Sequence, residues 1–352
     1  MAIKMAIIGM GGMAGWHYRN IKEQIGEIEI VAGYDIDKQT CQKRADEWGI
    51  KVYETPDELY ADPNVNLVLI ATPNDVHKEY SIKCMEAGKD VICEKPVTMN
   101  VAELEEVMAV AKKTGRFFSI HQNRRWDADY MTVKKILADK MLRMPYTIKS
   151  SVHGSKRLWG WRAFKPNGGG LLLDWGVHLL DQMLDLIPEP VVSVNGHLHF
   201  MENSEVDDCF TVTLRFEGGC TAVIDISTNS FVVEPRWHIF STDGTAIVQN
   251  WERHGKIVKQ ADPDEIDWTE TVIYTAAGPT RTMLPRPKDT TLEIPLPDVG
   301  ESRWTDYYKN IVEVLQGKAK PIVTSGQALR VMKVIESIFE SNRTGATITE
   351  KI

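Results

Sequence analysis

Residues 3–15 read IKMAIIGMGGMAG, and this stretch decides the fold. Ile3–Ile8 is an apolar run halted by Gly9, the pattern of a buried strand ending in a turn. The turn that follows, from Gly9 through Gly11, Gly12 and Met13 to Ala14, has a GxGxxA pattern. Gly9 permits the tight turn, Gly11 lets the backbone approach a pyrophosphate, and Ala14 keeps the next helix close to the strand. Free N–H groups at the helix start, around Gly12 and Met13, face phosphate charge. A second strand, Ile28–Tyr34, ends at Asp35, about 20 residues beyond the turn. An acid there accepts both ribose hydroxyls of NAD and repels the extra phosphate of NADP, so NAD is expected over NADP. Asp37 is better placed than Asp35 to cap the helix expected over 38–48.

Working outward, Val65–Ala71 and Asp90–Cys93 read as further strands, with legible helices between them. Thr55-Pro56-Asp57-Glu58 sets a cap, a first-turn proline and a capping-box acid in order. Asn100 with Glu103 opens another helix, Gly115 closes it, and Asp75 is expected to cap a helix ending at Gly88. Such alternation predicts an α/β protein whose N-terminal part is a doubly wound parallel sheet. At ~150 residues per domain, 352 residues suggest two domains, divided here into 1–120 and 121–352.

The chain is 43% hydrophobic and 26% charged, too apolar for a disordered one. Its net charge of −8 disfavours nucleic acid and anionic membrane surfaces as partners. Five cysteines (41, 84, 93, 209 and 220) are an odd number without a CxxC, which points to a reducing cytoplasm rather than a disulfide framework. No targeting segment and no apolar run near the ~18 residues of a membrane span is apparent.

Two stretches carry chemistry. Ile92-Cys93-Glu94-Lys95-Pro96 ends the fifth strand, at the sheet edge where open α/β sheets bind ligands, and its lysine is suited to stabilise an alkoxide. Gly168-Gly169-Gly170 precedes an apolar segment holding Asp174 and His178. Four apart, these two share one face of a helix, where a carboxylate would orient the imidazole as a general base. Asp181, one turn on, reads as a surface charge. His197 and His199 share one side of a strand but lack a third ligand, so no metal is expected.

The motifs GMGGMAG, YDID, ATPNDVH, CEKP, NRRWD, GGGLLLDWGVHLLDQ and TSGQALRVMKVIESIFESNRTG run nearly end to end. In these the chain resembles the Gfo/Idh/MocA (glucose–fructose oxidoreductase/inositol dehydrogenase/MocA) family of NAD(P)-dependent oxidoreductases. The resemblance implies a Rossmann domain followed by an α/β domain with a large open, mostly antiparallel sheet. It carries the catalytic set onto Lys95, Asp174 and His178. It carries cofactor contacts onto the glycine turn, Asp35, Thr72, Asn74, His77, Glu94 and Lys95, with Trp161 and Arg162 reaching the nicotinamide from the second domain. In the implied reaction His178 takes a hydroxyl proton, Asp174 holds and polarises the imidazole, and Lys95 stabilises the alkoxide.

Beyond residue 120, Val191–His199, Phe210–Phe216, Thr221–Thr228 and Trp237–Ser241 read as strands, with a hairpin at 217–219. Residues 304–316 and 327–341 read as helices, and 255–300 as an irregular, proline-bearing arm or loop. A one-sided antiparallel sheet suits homo-oligomerisation, from dimer to hexamer, through its open face. Aromatic and basic residues at the domain junction (His121, Arg124, Trp126, His153, Trp159 and Trp175) are expected to meet a small sugar, polyol or glycoside. The favoured reading is oxidation of a sugar or glycoside hydroxyl, at the 3-position in some relatives. The alternatives are an inositol or cyclic polyol dehydrogenase, a glycosidase that recycles bound NAD, and a non-catalytic NAD-sensing regulator.

Overall fold

The computed structural model describes residues 2–202, 205–262, 274–279 and 290–352. Six strands form the first sheet: β1 (Ile3–Ile8), β2 (Ile28–Tyr34), β3 (Lys51–Val52), β4 (Leu67–Ile70), β5 (Asp90–Cys93) and β6 (Phe118–Ile120). They lie in the order β3-β2-β1-β4-β5-β6 and every pairing is parallel. Helices pack on both faces of such a sheet, so its central strands are almost wholly apolar: all four residues of β4 are buried. The chain reverses its direction of winding at β1 and β4, which opens a crevice at their carboxyl ends. Gly9 sits in that crevice at φ +92°, and a Cβ there would lie 2.6 Å from the Ala71 carbonyl oxygen. Only glycine fits.

The helices of this half are α1 (Gly12–Gln24), α2 (Lys38–Trp48), α3 (Pro56–Ala61), α4 (His77–Glu86) and α5 (Val101–Thr114). Asp37, Thr55 and Asn100 accept backbone N–H groups as their caps, as their positions predict. Asp75 does not: a 3₁₀ turn over Asn74–Val76 precedes α4, and the Asp75 side chain caps nothing.

After α6 (Ala128–Ala138) the chain builds a second sheet from β7 (Pro145–His153), β8 (Val191–His199), β9 (Cys209–Phe216), β10 (Thr221–Ser227), β11 (Trp237–Ser241), β12 (Gly244–Val248) and β13 (Gly255–Gln260). A small hairpin, β14 (Tyr274–Thr275) with β15 (Gly278–Pro279), precedes the edge strand β16 (Thr291–Pro295). The order is β16-β13-β12-β11-β7-β10-β9-β8, antiparallel except where β7 meets β10. The large, mostly antiparallel sheet is therefore as the resemblance implies. The arm expected over 255–300 contains β13 to β16, and residues 263–273 and 280–289 of it lie outside the described residues. β7, in mid-sheet, escaped prediction because PYTIKSSVH has little apolar alternation. Its Ser150 is buried as the acceptor of a 2.5 Å bond from Arg236.

Helices α7 (Val177–Leu186), α8 (Asp306–Leu315) and α9 (Ser325–Thr344) complete the core. α9 has a full capping box between Thr324 and Gln327, and packs on β8 and α7 while also touching α5 and β6. It thereby ties the two sheets together. All five cysteines are free and buried. Among the described residues no helix is long and apolar enough to cross a membrane.

Candidate active site

The crevice above β1 and β4 is a cleft of about 690 Å³ lined by Gly9, Gly11, Gly12, Met13, Asp35, Thr72, Asn74, Glu94, Lys95, Trp161 and Arg162, among others. A Cβ added at Gly11 or Gly12 would meet nothing within 4 Å, so the glycines leave open space where a phosphate would approach. Asp35 is pinned at its mouth, its two oxygens accepting the Met10 N–H at 2.6 Å and the Asp37 N–H at 2.9 Å. The Thr72 hydroxyl is buried with no partner, as expected of a group that awaits a ligand. These features fit a dinucleotide. Asn74 also lines the cleft, but its amide donates to the Gly168 carbonyl at 2.8 Å and so clasps the glycine run of the second half.

His77 does not reach the cleft. It is fully buried, its ring nitrogens 2.8 Å from the Pro96 carbonyl and 3.0 Å from that of Thr72. It braces the cleft wall from behind, and burial lowers its pKa.

The strand-end lysine and the glycine-run segment do meet. Lys95 Nζ donates to Asp174 at 2.9 Å (Oδ1) and 2.8 Å (backbone O), and Arg162 Nε lies 3.0 Å from the same Oδ1. Burial opposes the charged form of Asp174, but Lys95 and Arg162 outweigh it and hold the carboxyl below its ordinary pKa.

The expected Asp174–His178 pair is a correction. Residues Leu172–Gly176 form a π turn, so the regular i,i+4 alignment is lost, and Asp174 turns to the two cations. His178 Nδ1 instead meets Gln122 Oε1 at 2.9 Å. Neutral imidazole has one N–H; with Nδ1 donating to that amide oxygen, Nε2 carries the lone pair. Burial, then Lys95 and Arg124, push the pKa of His178 well below the ordinary 6.5, which keeps it neutral. Gln122 was missed, although it lies two residues past the end of β6, at the same sheet edge as Lys95.

The expected substrate residues divide. Arg124 stacks its guanidinium 4.1 Å from the Trp175 ring, and Trp175 lies 6.3 Å from the His178 ring, so these two stand beside His178. Trp126 is half-buried and packs edge-on to Tyr307. Three other expectations need correction. His121 is buried, with Nδ1 3.0 Å from Glu94 Oε1 and its ring enclosed by His17, Tyr307 and Tyr308. His153 is locked to Asp225 at 2.6 Å across β7 and β10. Trp159 is 84% exposed and lines a different groove with Phe164 and Glu202, which shares no residue with the cleft. Asp181 is no surface charge either: it is buried in a two-pronged pair with Arg125, both contacts 2.7 Å.

Glu94 is held as a buried carboxylate. Oε1 lies 2.8 Å from His17 Nε2 and 3.0 Å from His121 Nδ1, while Oε2 accepts the Lys95 N–H at 3.1 Å. Burial disfavours its charge, yet His121 and His17 overcome that and lower its pKa. The three ligand-type atoms lie within 4.8 Å of one another, a spacing that also suits a metal ion. Each histidine stands at hydrogen-bond length from Glu94 Oε1, and the cluster joins α1 with the ends of the lysine strand and β6.

Residues 3–122 match the model described as an oxidoreductase family, NAD-binding Rossmann fold, and residues 130–247 match the GFO/IDH/MocA C-terminal domain. The NADP-dependent scyllo-inositol 2-dehydrogenase of Bacillus subtilis is 27% identical over 98% of this chain and 95% of its own length. The myo-inositol 2-dehydrogenase of Thermotoga maritima is 27% identical over 70% of this chain and 75% of its own. An NAD-binding protein from Listeria innocua, of known structure, is 38% identical with a TM-score of 0.88, covering 99% of this chain and 97% of that one. With both domain models matched in sequence order, and a cleft that fits a dinucleotide beside a lysine and a neutral histidine, the chain belongs to the GFO/IDH/MocA family of NAD(P)-dependent oxidoreductases.

Proposed function

We propose that the protein oxidises a secondary hydroxyl of a sugar or glycoside, at the 3-position on the favoured reading, with NAD as acceptor. The observation that carries this is the pairing of Lys95, which lines the dinucleotide cleft, with Asp174, four residues before His178. When bound, the nicotinamide supplies the hydride acceptor. His178 Nε2 takes the hydroxyl proton, and Gln122 keeps that nitrogen free by engaging Nδ1. Lys95 donates to the developing alkoxide, with Asp174, itself paired to Arg162, holding its ammonium in place. The doubly anchored Asp35 supports NAD, since a carboxylate there engages ribose hydroxyls and repels a 2′-phosphate.

The names of the Bacillus and Thermotoga relatives favour a second reading, in which an inositol is the substrate. A panel of free sugars, glycosides and inositols, assayed with NAD and NADP, separates the two, and product NMR locates the keto group. Reduced NAD with a 3-keto sugar is the expected result. Turnover of inositols alone establishes the second reading, and aglycone release without net reduction points to a glycosidase. Self-association through the open face of the second sheet belongs to the same proposal; sedimentation of the intact protein measures it.

A further inference from the structure

Trp251 stands on the turn joining β12 to β13, outside everything assigned above. The turn is built to hold its shape. Asn250 bonds twice to His254, at 2.8 and 3.0 Å, and Arg253 is held at φ +66°, a left-handed conformation that few non-glycine residues adopt. Despite this support the indole is 41% exposed. It lies 6.2 Å from the Trp175 ring, which is in turn 6.3 Å from His178. The Arg124 guanidinium is shared among Trp175, Trp251 and Trp304 at 4.1, 5.6 and 5.4 Å. Among the described residues Asp127 is its one hydrogen-bond acceptor, at 3.0 Å, which leaves further N–H donors to face a ligand. A rigid, partly bare indole beside a donor-rich cation and a proton acceptor has a clear chemical counterpart. It suits a ring with one face of C–H bonds and a rim of hydroxyls.

We propose that Trp251 is a specificity-determining platform on which a pyranose-sized, polyhydroxylated ring lies by its C–H face, with Arg124 donating to its hydroxyls. The proposal rests on the oxidoreductase reading above and narrows its substrate class to rings rather than open-chain polyols.

The test uses the NAD-loaded protein with methyl β-glucopyranoside, glucose, myo-inositol and open-chain sorbitol as probes. Saturation-transfer NMR and steady-state kinetics are compared for wild type, Trp251→Ala and Trp251→Phe. Ring C–H protons of the cyclic probes should receive saturation in the wild type. KM for the best ring substrate should rise about tenfold in Trp251→Ala, with most of the loss recovered in Trp251→Phe. A purely structural role would lower the unfolding midpoint without that split. Wild-type turnover with unchanged KM in Trp251→Ala overturns the platform and leaves the oxidoreductase reading intact. Ring binding that depends on Trp251 without hydride transfer does the reverse, and absence of any ring binding defeats both. If Trp251→Ala fails to fold, equal KM values for wild type and Trp251→Phe together with no ring saturation in the wild type overturn the proposal.

Discussion

The dinucleotide cleft and the proposed proton-transfer centre lie side by side, yet they are made in opposite ways. The phosphate and ribose end of the cleft is local: Gly9 to Ala14 act through backbone shape and Asp35 through its carboxylate, within two successive strand–helix turns. The centre is assembled from afar, with Lys95 at one strand end, Gln122 at the next, Arg162 in a 3₁₀ turn and Asp174 and His178 on a π turn and a helix. Local motifs hold a cofactor because backbone N–H groups and glycines need only short-range geometry. Proton chemistry needs side chains whose charges are set by neighbours distant in sequence. Perturbing the two regions should therefore produce losses of different kinds.

The largest effect is expected in the centre. His178→Ala should lower kcat by about 10²–10⁴-fold while NAD affinity, measured by titration, stays within a factor of a few. Equal loss of both would merge the two regions into one. Lys95 and Asp174 form a nearly buried pair, so removing one partner strands the other's charge. Lys95→Met and Asp174→Asn should each cost about 10²-fold or more in kcat, and the double variant little more than either alone, as for residues that act as a unit. Additive losses would contradict the pairing.

How far these contrasts were legible in the sequence follows the same division. The spans of β1, β2 and β5 and the caps at Asp37, Thr55 and Asn100 were readable because they depend on near neighbours. Asp174 to His178 was misread because spacing assumes a regular helix, while the π turn and the pull of two cations redirect the carboxylate. His121 and His153 looked available because nothing near them in the chain announces Glu94 or Asp225 as partners. β7 was invisible because its burial comes from strands on both sides rather than from its own composition.

A smaller effect is expected in the cleft. Asp35→Ala should shift the NAD:NADP ratio of kcat/KM about tenfold toward NADP, with kcat for NAD changed far less than by any change at His178. A ratio that does not move removes Asp35 as the discriminator. The gentlest probe is pH. Burial holds His17 (lowered to about 4), His77 and His178 neutral in the fold, whereas in the unfolded chain they take up protons near pH 6.5. Between these values the unfolded chain binds more protons, so stability rises with pH across the window from about 4 to 6.5. His238, also lowered by burial, adds to this rise, while Asp207, which burial pushes up to about 6, and Asp90, Asp127 and Asp181, raised by the same cause, oppose it at lower pH. Above about pH 6 these acids are ionised in both states and the histidines alone set a positive slope, measurable by urea unfolding at stepped pH from 6 to 7. A flat or falling stability over that range would mean the histidines are not held neutral.

The central claim is that His178 is a neutral base whose Nδ1–H is held by Gln122, with Nε2 open to the substrate hydroxyl. Long-range ¹H–¹⁵N correlation spectra of the NAD-loaded protein, with Gln122→Ala as comparison, test it most directly. The account predicts a neutral imidazole protonated at Nδ1 across pH 6–8, with that tautomer's preference weakened in Gln122→Ala. An imidazolium at pH 7, or a wild-type ring protonated at Nε2 alone, would contradict it.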